Sequence, residues 1–403
     1  MILEMKSNLI QSKQTDEEEI VAGIVISSRS DENHFLAKIG KVDKEWGSCG
    51  RHDSFFGKIM KSCTSAKILT ATLASSLVRV QKICYESTIG DILHKYHEEI
   101  NEEVLNISLG DLLTHSSGLP VSINQDFLHR DEIKNSSTAR AARLALVLAI
   151  LADCEPRSSE IRHTRYSNVG YLVAGVLLEE ASNSDFEQLL QIYIFSPLAV
   201  SHTQTLNDSD LLFYANPNAM AKLTQCHLRA LLGMSSPLGP PAALAHLHQL
   251  PPWTRCFTLG GWSLTQNSHR SLGRILSTHS GSSELFHSRI LLLPDKDRAI
   301  IVMADRGGKS GRQATANTLQ HILATMILTL PRPPPPPRRI LYERNLDEAA
   351  ADKYRASCVS PRQQSLPPIP LLFGAGFSSS TFFLCSTIDT SCGASSCLLA
   401  AVV

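Results

Sequence analysis

Several features are missing from this 403-residue sequence, and each absence removes a class of function. Neither sign of charge is in excess, since Lys plus Arg and Asp plus Glu both number 38. No basic surface for nucleic acid and no acidic tail for a charge-driven partner is therefore indicated. The ten cysteines include no C-x-x-C, which argues against a thiolate zinc site. Their irregular spacing in a chain this long fits reduced thiols better than a disulfide framework. The N-terminal stretch MILEMKSNLIQSKQTDEEEI has no apolar h-region and is too acidic for a transit peptide. The longest apolar run in the body, Leu144 to Ala152, is too short to span a bilayer and reads as a buried helix. The N-x-S sequons at Asn106, Asn135 and Asn207 then read as chance matches, and the cytoplasm is the expected compartment. No G-x-S-x-G occurs: Gly261-Trp262-Ser263-Leu264-Thr265 breaks at its last position, so an α/β-hydrolase elbow is not supported.

Hydrophobic residues make up 43% of the chain and charged residues 19%, values of a folded globular protein. Residues 1–20 read as a polar lead-in and residues 21–328 as one domain. Val21–Ser27 reads as a buried strand, Lys67–Val80 and Tyr171–Glu180 as helices, and Gly311–Thr329 as a closing helix. In RILLLPDKDRAIIVMA (289–304) two apolar runs flank a Pro-Asp-Lys-Asp turn, which predicts a hairpin. Strands at both ends with helices between them predict an α+β fold whose antiparallel sheet is closed by distant segments. Residues 329–403 read as a Pro-rich linker (PRPPPPPRR at 331–339) and a disordered Ser- and Cys-rich tail. The proline run also suits peptide recognition, a role such tracts take in a minority of cases.

Four segments carry possible chemistry. Ile107–Pro120, ISLGDLLTHSSGLP, is on physical grounds a short helix with a Ser-Gly stop, and His115 within it reads as a structural hydrogen bonder. Tyr166-Ser167-Asn168 precedes a helix; taken alone it reads as a cap, although a phenol and an amide here could also act on a substrate. His279-Ser280-Gly281-Ser282 precedes the hairpin, and on an edge strand its N–H groups would form half of an oxyanion hole. Ser62-Cys63-Thr64-Ser65-Ala66-Lys67 opens the Ala-rich helix. There a hydroxyl three residues before a Lys lies about 60° from it around the axis, close enough for the amine to take its proton.

In this order the pieces resemble the serine β-lactamase-like family, which includes class C β-lactamases, DD-carboxypeptidases and eukaryotic β-lactamase-related esterase-like proteins. The family pattern runs S-x-x-K, Y-x-N, [KH]-[ST]-G. Tyr166-Ser167-Asn168 and His279-Ser280-Gly281 match its second and third motifs. LLTHSSGLP, YSNVGYLVAGVLLE and LLLPDKDRAIIVMAD resemble its other conserved stretches over roughly residues 20–328. The resemblance implies an antiparallel sheet flanked by helices, plus a helical lobe, with the active site between them. It also implies serine attack on a small ester, amide or lactam, with Lys and Tyr as general base and acid. The N–H groups of the nucleophile and of Ser282 would hold the oxyanion, and water or an alcohol would resolve the acyl-enzyme. That chemistry requires no metal or organic cofactor.

The first motif departs from the pattern. KILTATLA aligned from the right gives Lys67 the lysine place and Thr64 the nucleophile place. SCT aligned from the left makes Ser62 the nucleophile and puts Ser65 in the lysine place. The alignments differ by two residues, a rotation of about 200° on a helix. Thr64 keeps the spacing, but its methyl crowds the attack path. Both oxygens remain candidates, as does the alternative that the chain keeps fold and cleft as a catalytically impaired binding protein. Two further departures concern the loop and the hairpin. The stretch NPNAMAKLTQCHLRALLGMSSPLGPPAALAHL replaces the family's Gly-rich STAxDLA-like segment, and Asp305 stands where Asn is expected. His94/His97 and His246/His248 have spacings a metal could use, but a surface role is the simpler reading. Cys63 is a weaker nucleophile candidate, with Lys67 four residues on.

Overall fold

The computed structural model describes residues 20–29, 34–39, 66–154, 165–200, 217–254, 256–266, 275–282, 287–304 and 306–329. All of these lie in one compact unit, Met1–Arg344. The expected lead-in of residues 1–20 falls outside the described residues except for Ile20, which opens the first strand, and the expected linker and tail of residues 329–403 fall outside them except for Thr329, which ends the last helix.

Among the described residues the sheet has six strands: β1 Ile20–Ile26, β2 His34–Ile39, β3 Ser263–Gln266, β4 Ile275–Ser282, β5 His287–Leu293 and β6 Arg298–Ala304. Their order is β2-β1-β6-β5-β4-β3, and every neighbouring pair is antiparallel. β1 pairs with β6 across almost the whole described chain, so the sheet is closed by distant segments, as the sequence predicts. β5 and β6 form the predicted hairpin, turned by Pro294–Lys296 and by Asp297 at φ +49°. The Asp297 carboxylate accepts from the Ser28 amide at 3.0 Å and tethers the end of β1 to the hairpin tip. β5 and β6 are almost wholly buried, which is why their sequences read as continuous apolar runs rather than alternating ones.

α1 (Ala66–Arg79) is buried at every position from Lys67 to Val78, a helix enclosed on all sides. Its hydroxyls are satisfied locally or by neighbours: Thr72 donates to Ile68 O, Ser76 to Thr72 O and Ser75 to Ala243 O. α2 (Leu109–Leu113) starts in a Ser108/Asp111 capping box. α3 (Ala139–Asp153) contains the Leu144–Ala152 run and buries Leu146, Val147, Ile150 and Leu151. No described helix is long and apolar enough to cross a membrane. α4 (Asn168–Ser182) is capped by Ser167 and ends on Asn183 at φ +49°. α5 (Pro217–Leu231) and α6 (Pro241–His246) follow, and α7 (Gly308–Thr329) packs against β1, β5 and β6. The side chains of His287 and of Ser277 mark the two faces of the sheet: His287 meets Thr315 of α7, and Ser277 meets His248 of the helical region.

α3 and α4 are joined by a buried Arg143–Glu179 ion pair, to which the partly exposed Glu187 adds a third member. Arg143 donates to Glu179 at 2.6 and 3.2 Å and to Glu187 at 2.9 and 3.0 Å, while Glu179 also accepts from the Phe186 amide. Because Glu179 is 1% exposed, removing the guanidinium strands a carboxylate out of water. Arg143→Ala is expected to lower unfolding free energy by about 3–5 kcal/mol, measured by urea denaturation. A loss below about 1 kcal/mol would mean that the triad does not hold α4.

Candidate active site

The loop after α2 and the turn before α4 are tied together by four hydrogen bonds. Arg165 N donates to His115 O (2.8 Å), Ser167 N to His115 Nδ1 (3.1 Å), Asn168 N to Val121 O (2.9 Å) and the Ser167 hydroxyl to Pro120 O (2.6 Å). His115 holds a left-handed φ of +57°, which turns its carbonyl and its ring toward the same partner segment. Since Nδ1 accepts, the neutral ring carries its proton on Nε2. Burial, followed by Lys67 and His279, keeps this imidazole well below the ordinary histidine range. The expected structural role of His115 is what the geometry shows.

The tie sets Tyr166 and Asn168 facing α1. Lys67, at the second position of α1 and 5% exposed, donates from Nζ to Asn168 Oδ1 at 2.7 Å. Its Nζ stands 5.1 Å from the centre of the Tyr166 ring and 5.5 Å from that of Tyr171. Tyr171, one turn into α4, donates its hydroxyl to Leu113 O at 2.8 Å, and burial then Tyr166 raise its pKa. The His115 ring packs against Tyr166 (4.5 Å), Tyr171 (5.1 Å) and Phe257 (4.7 Å).

A tight turn at 258–262 supplies another wall. Thr258 N donates to Trp262 O, and Trp262 N donates back to the Thr258 hydroxyl. Gly261 sits there at φ +70°, and a methyl at this position would collide with the Tyr171 hydroxyl. Gly261-Trp262-Ser263 is thus a packing turn into β3. Trp262 is fully buried and meets the His279 ring edge-on at 5.7 Å.

His279, Ser280, Gly281 and Ser282 form the second half of β4. This strand is not the sheet's edge, which is β3. Yet β3 pairs with β4 only up to Thr278, and residues 279–282 have β5 alone as a strand partner among the described residues. Among the described residues, half of the strand therefore has the expected open edge. His279 and Gly281 are buried, while Ser280 and Ser282 are exposed. Burial, with Lys67 and His227 adding to it, pushes the His279 imidazole down to about 3.

Ser62, Cys63, Thr64 and Asp305 lie outside the described residues. Lys67, Tyr166, Asn168 and the His279 strand are brought together. His94 and His97 are exposed, and His246 meets Gln249, whereas His248 is buried against His227. No group of three or more His, Cys, Asp or Glu residues among those described could hold a metal ion. Tyr171, Phe257 and Trp262 were not picked out as site residues by their sequence. Tyr171 lay within the YSNVGY stretch and Trp262 within the failed G-x-S-x-G, while Phe257 had no local signal.

The profile of the Beta-lactamase family matches residues 60–325. The chain belongs to the β-lactamase family. Among curated proteins, penicillin-binding protein 4 of Amycolatopsis lactamdurans is 26% identical over 181 residues, 45% of this chain and 43% of that protein, so the match spans less than half of the relative. Among solved structures, a class C β-lactamase from Rhodobacter sphaeroides superposes with a TM-score of 0.54 at 16% identity, covering 81% of this chain and 99% of that one. A β-lactamase/D-alanine carboxypeptidase from Pseudomonas syringae gives 0.53 at 15%, covering 82% and 98%. At such identities these structures establish the β-lactamase fold, an antiparallel sheet with flanking helices.

The buried neutral imidazoles of this β-lactamase-family site have a consequence for stability. His279 and His227 are both held near 3 against an ordinary 6.5, with burial the leading cause. Between those values the unfolded chain binds more protons than the folded one, so stability falls as pH drops through that window. Each group contributes up to about 1.4 kcal/mol per pH unit. The thermal midpoint is expected to fall steadily from pH 7 to pH 4, and His279→Asn should flatten the slope. A midpoint independent of pH would contradict neutral burial of these rings.

Proposed function

We propose that this protein is a β-lactamase-related serine hydrolase that acts through an acyl-enzyme on a small ester, amide or lactam. The observation that carries the reading is the 2.7 Å contact between Lys67 Nζ and Asn168 Oδ1 beside the Tyr166 ring. In this family those residue types stand around the nucleophile.

The proposed roles follow from that geometry. The hydroxyl of Ser62 or Thr64 attacks the carbonyl carbon, and its proton passes to the Lys67–Tyr166 pair, which later protonates the leaving group. Asn168 orients Lys67. The strand 279–282 aligns the substrate: Ser280 and Gly281 lie along it, and the N–H groups of Ser282 and of the nucleophile bind the oxyanion. His279, neutral because it is buried, takes the place that a Lys has in part of the family, so the site offers this strand a hydrogen-bonding ring rather than a charge. The names of the similar proteins, β-lactamase, penicillin-binding protein and D-alanine carboxypeptidase, support a lactam or peptide-like amide as the substrate class.

A second reading keeps fold and cleft without turnover. It is favoured by the spacing of the first motif, in which Ser62 stands five residues before Lys67 rather than three. Labelling with a fluorophosphonate or a β-lactam, followed by intact mass and peptide mapping, separates the two. Hydrolase action predicts one adduct on Ser62 or Thr64, with labelling slowed at least ~100-fold by Lys67→Ala and by Tyr166→Phe. A folded protein that takes no adduct would contradict hydrolase action and favour the second reading.

A further inference from the structure

Beneath the site, two histidines that lie outside every recognised motif form a continuous chain. His227 comes from α5 and His248 from the segment just after α6, and both are fully buried. His227 Nε2 is 3.1 Å from the Thr72 hydroxyl of α1, His227 Nδ1 is 3.0 Å from His248 Nε2, and His248 Nδ1 is 3.0 Å from the Ser277 hydroxyl of β4.

The ends of the chain fix its direction. Thr72 already donates its proton to Ile68 O at 2.7 Å, so toward His227 its oxygen can only accept. His227 must then carry its proton on Nε2 and accept at Nδ1, and His248 must carry a proton on Nε2. With His248 neutral, as its burial favours, its Nδ1 accepts from Ser277 and one order of protons satisfies every member of the chain. Burial pushes the His227 imidazole down to about 3, and burial together with His227 holds His248 well below the usual range.

The chain's two ends adjoin the groups that matter. Thr72 and Ile68 share α1 with Lys67, and Ser277 lies two residues before His279, on the same face of β4. Trp262 packs on His227 (5.4 Å), on His248 (4.8 Å) and on His279 (5.7 Å), so the orientation of the pair is passed to the His279 ring. We propose that His227 and His248 are positioning residues, a relay with a single proton order that locks the Lys67 helix to the His279 strand.

The kinetic part of this inference rests on the acyl-transfer reading; the proton order does not. Long-range 1H–15N correlation spectra of the full-length protein labelled at histidine are expected to show both rings as neutral Nε2–H tautomers at pH 7. An Nδ1–H tautomer or an imidazolium at either position would overturn the relay, whether or not the protein is an enzyme. For the kinetic arm, His227→Gln keeps the polarity, because its amide oxygen can accept from His248 and its NH2 can donate to Thr72, whereas His227→Leu breaks it. Acylation by a fluorophosphonate is expected to slow about tenfold at saturating probe in His227→Leu, with the half-saturating concentration unchanged, and to recover in His227→Gln to within about threefold of the parent. Equal rates in both variants once corrected for folded fraction would show a merely structural role. If His227→Leu does not fold, Ser277→Ala removes the terminal donor: slower acylation supports the relay, and an unchanged rate overturns it. A parent protein that takes no adduct counts against the hydrolase and leaves the spectra to decide the relay.

Discussion

The hydrogen bonds from Arg165, Ser167 and Asn168 to the 115–121 turn are the constraint on which the site depends. They are made by backbone groups and by two side chains whose chemistry admits few substitutes, an imidazole accepting at Nδ1 and a serine that caps a helix while donating to Pro120 O. Each contributes about 1 kcal/mol net, but together they determine where Tyr166 stands and where α4 begins. Through α4 they also determine where Asn168 meets Lys67. The Arg143 triad secures the same helix near its other end.

Burial sets the electrostatic character of the site. Lys67 is enclosed with Asn168 and two phenol rings, and the histidines around it are pushed toward neutrality by burial with the lysine's help. A site assembled in this way concentrates its polarity on a few aimed groups instead of spreading charge. It also ties stability to pH, because on acidification the unfolded chain takes up protons that the buried rings exclude.

Much of this was legible in the sequence where local pattern and structure share one cause. The buried runs of β5 and β6 around Pro294-Asp295-Lys296-Asp297 spelled a hairpin, because both faces of those strands are covered. Tyr166, Asn168, Lys67 and His279 stood out through their resemblance to the family's motifs rather than through local pattern, and the structure brings them together. The helix boundaries were less legible. α4 starts at Asn168 rather than Tyr171, since the Ser167 cap extends it by nearly a turn, and α7 starts at Gly308 rather than Gly311. The His227–His248 pair could not be read at all. Its members are separated by a helix boundary and meet Thr72 and Ser277 only in three dimensions, in a stretch that sequence comparison registers merely as degenerate. Phe257 is invisible for the same reason.

The meeting of Lys67 with Asn168 is the claim that most of the account shares, and a double-mutant cycle measures it directly. Unfolding free energies would be determined for the parent, Lys67→Met, Asn168→Ala and the double variant. The account predicts a coupling energy of about 1 kcal/mol or more, as for a buried hydrogen bond to a cationic group. Effects that add to within about 0.3 kcal/mol would place the two side chains apart and contradict it.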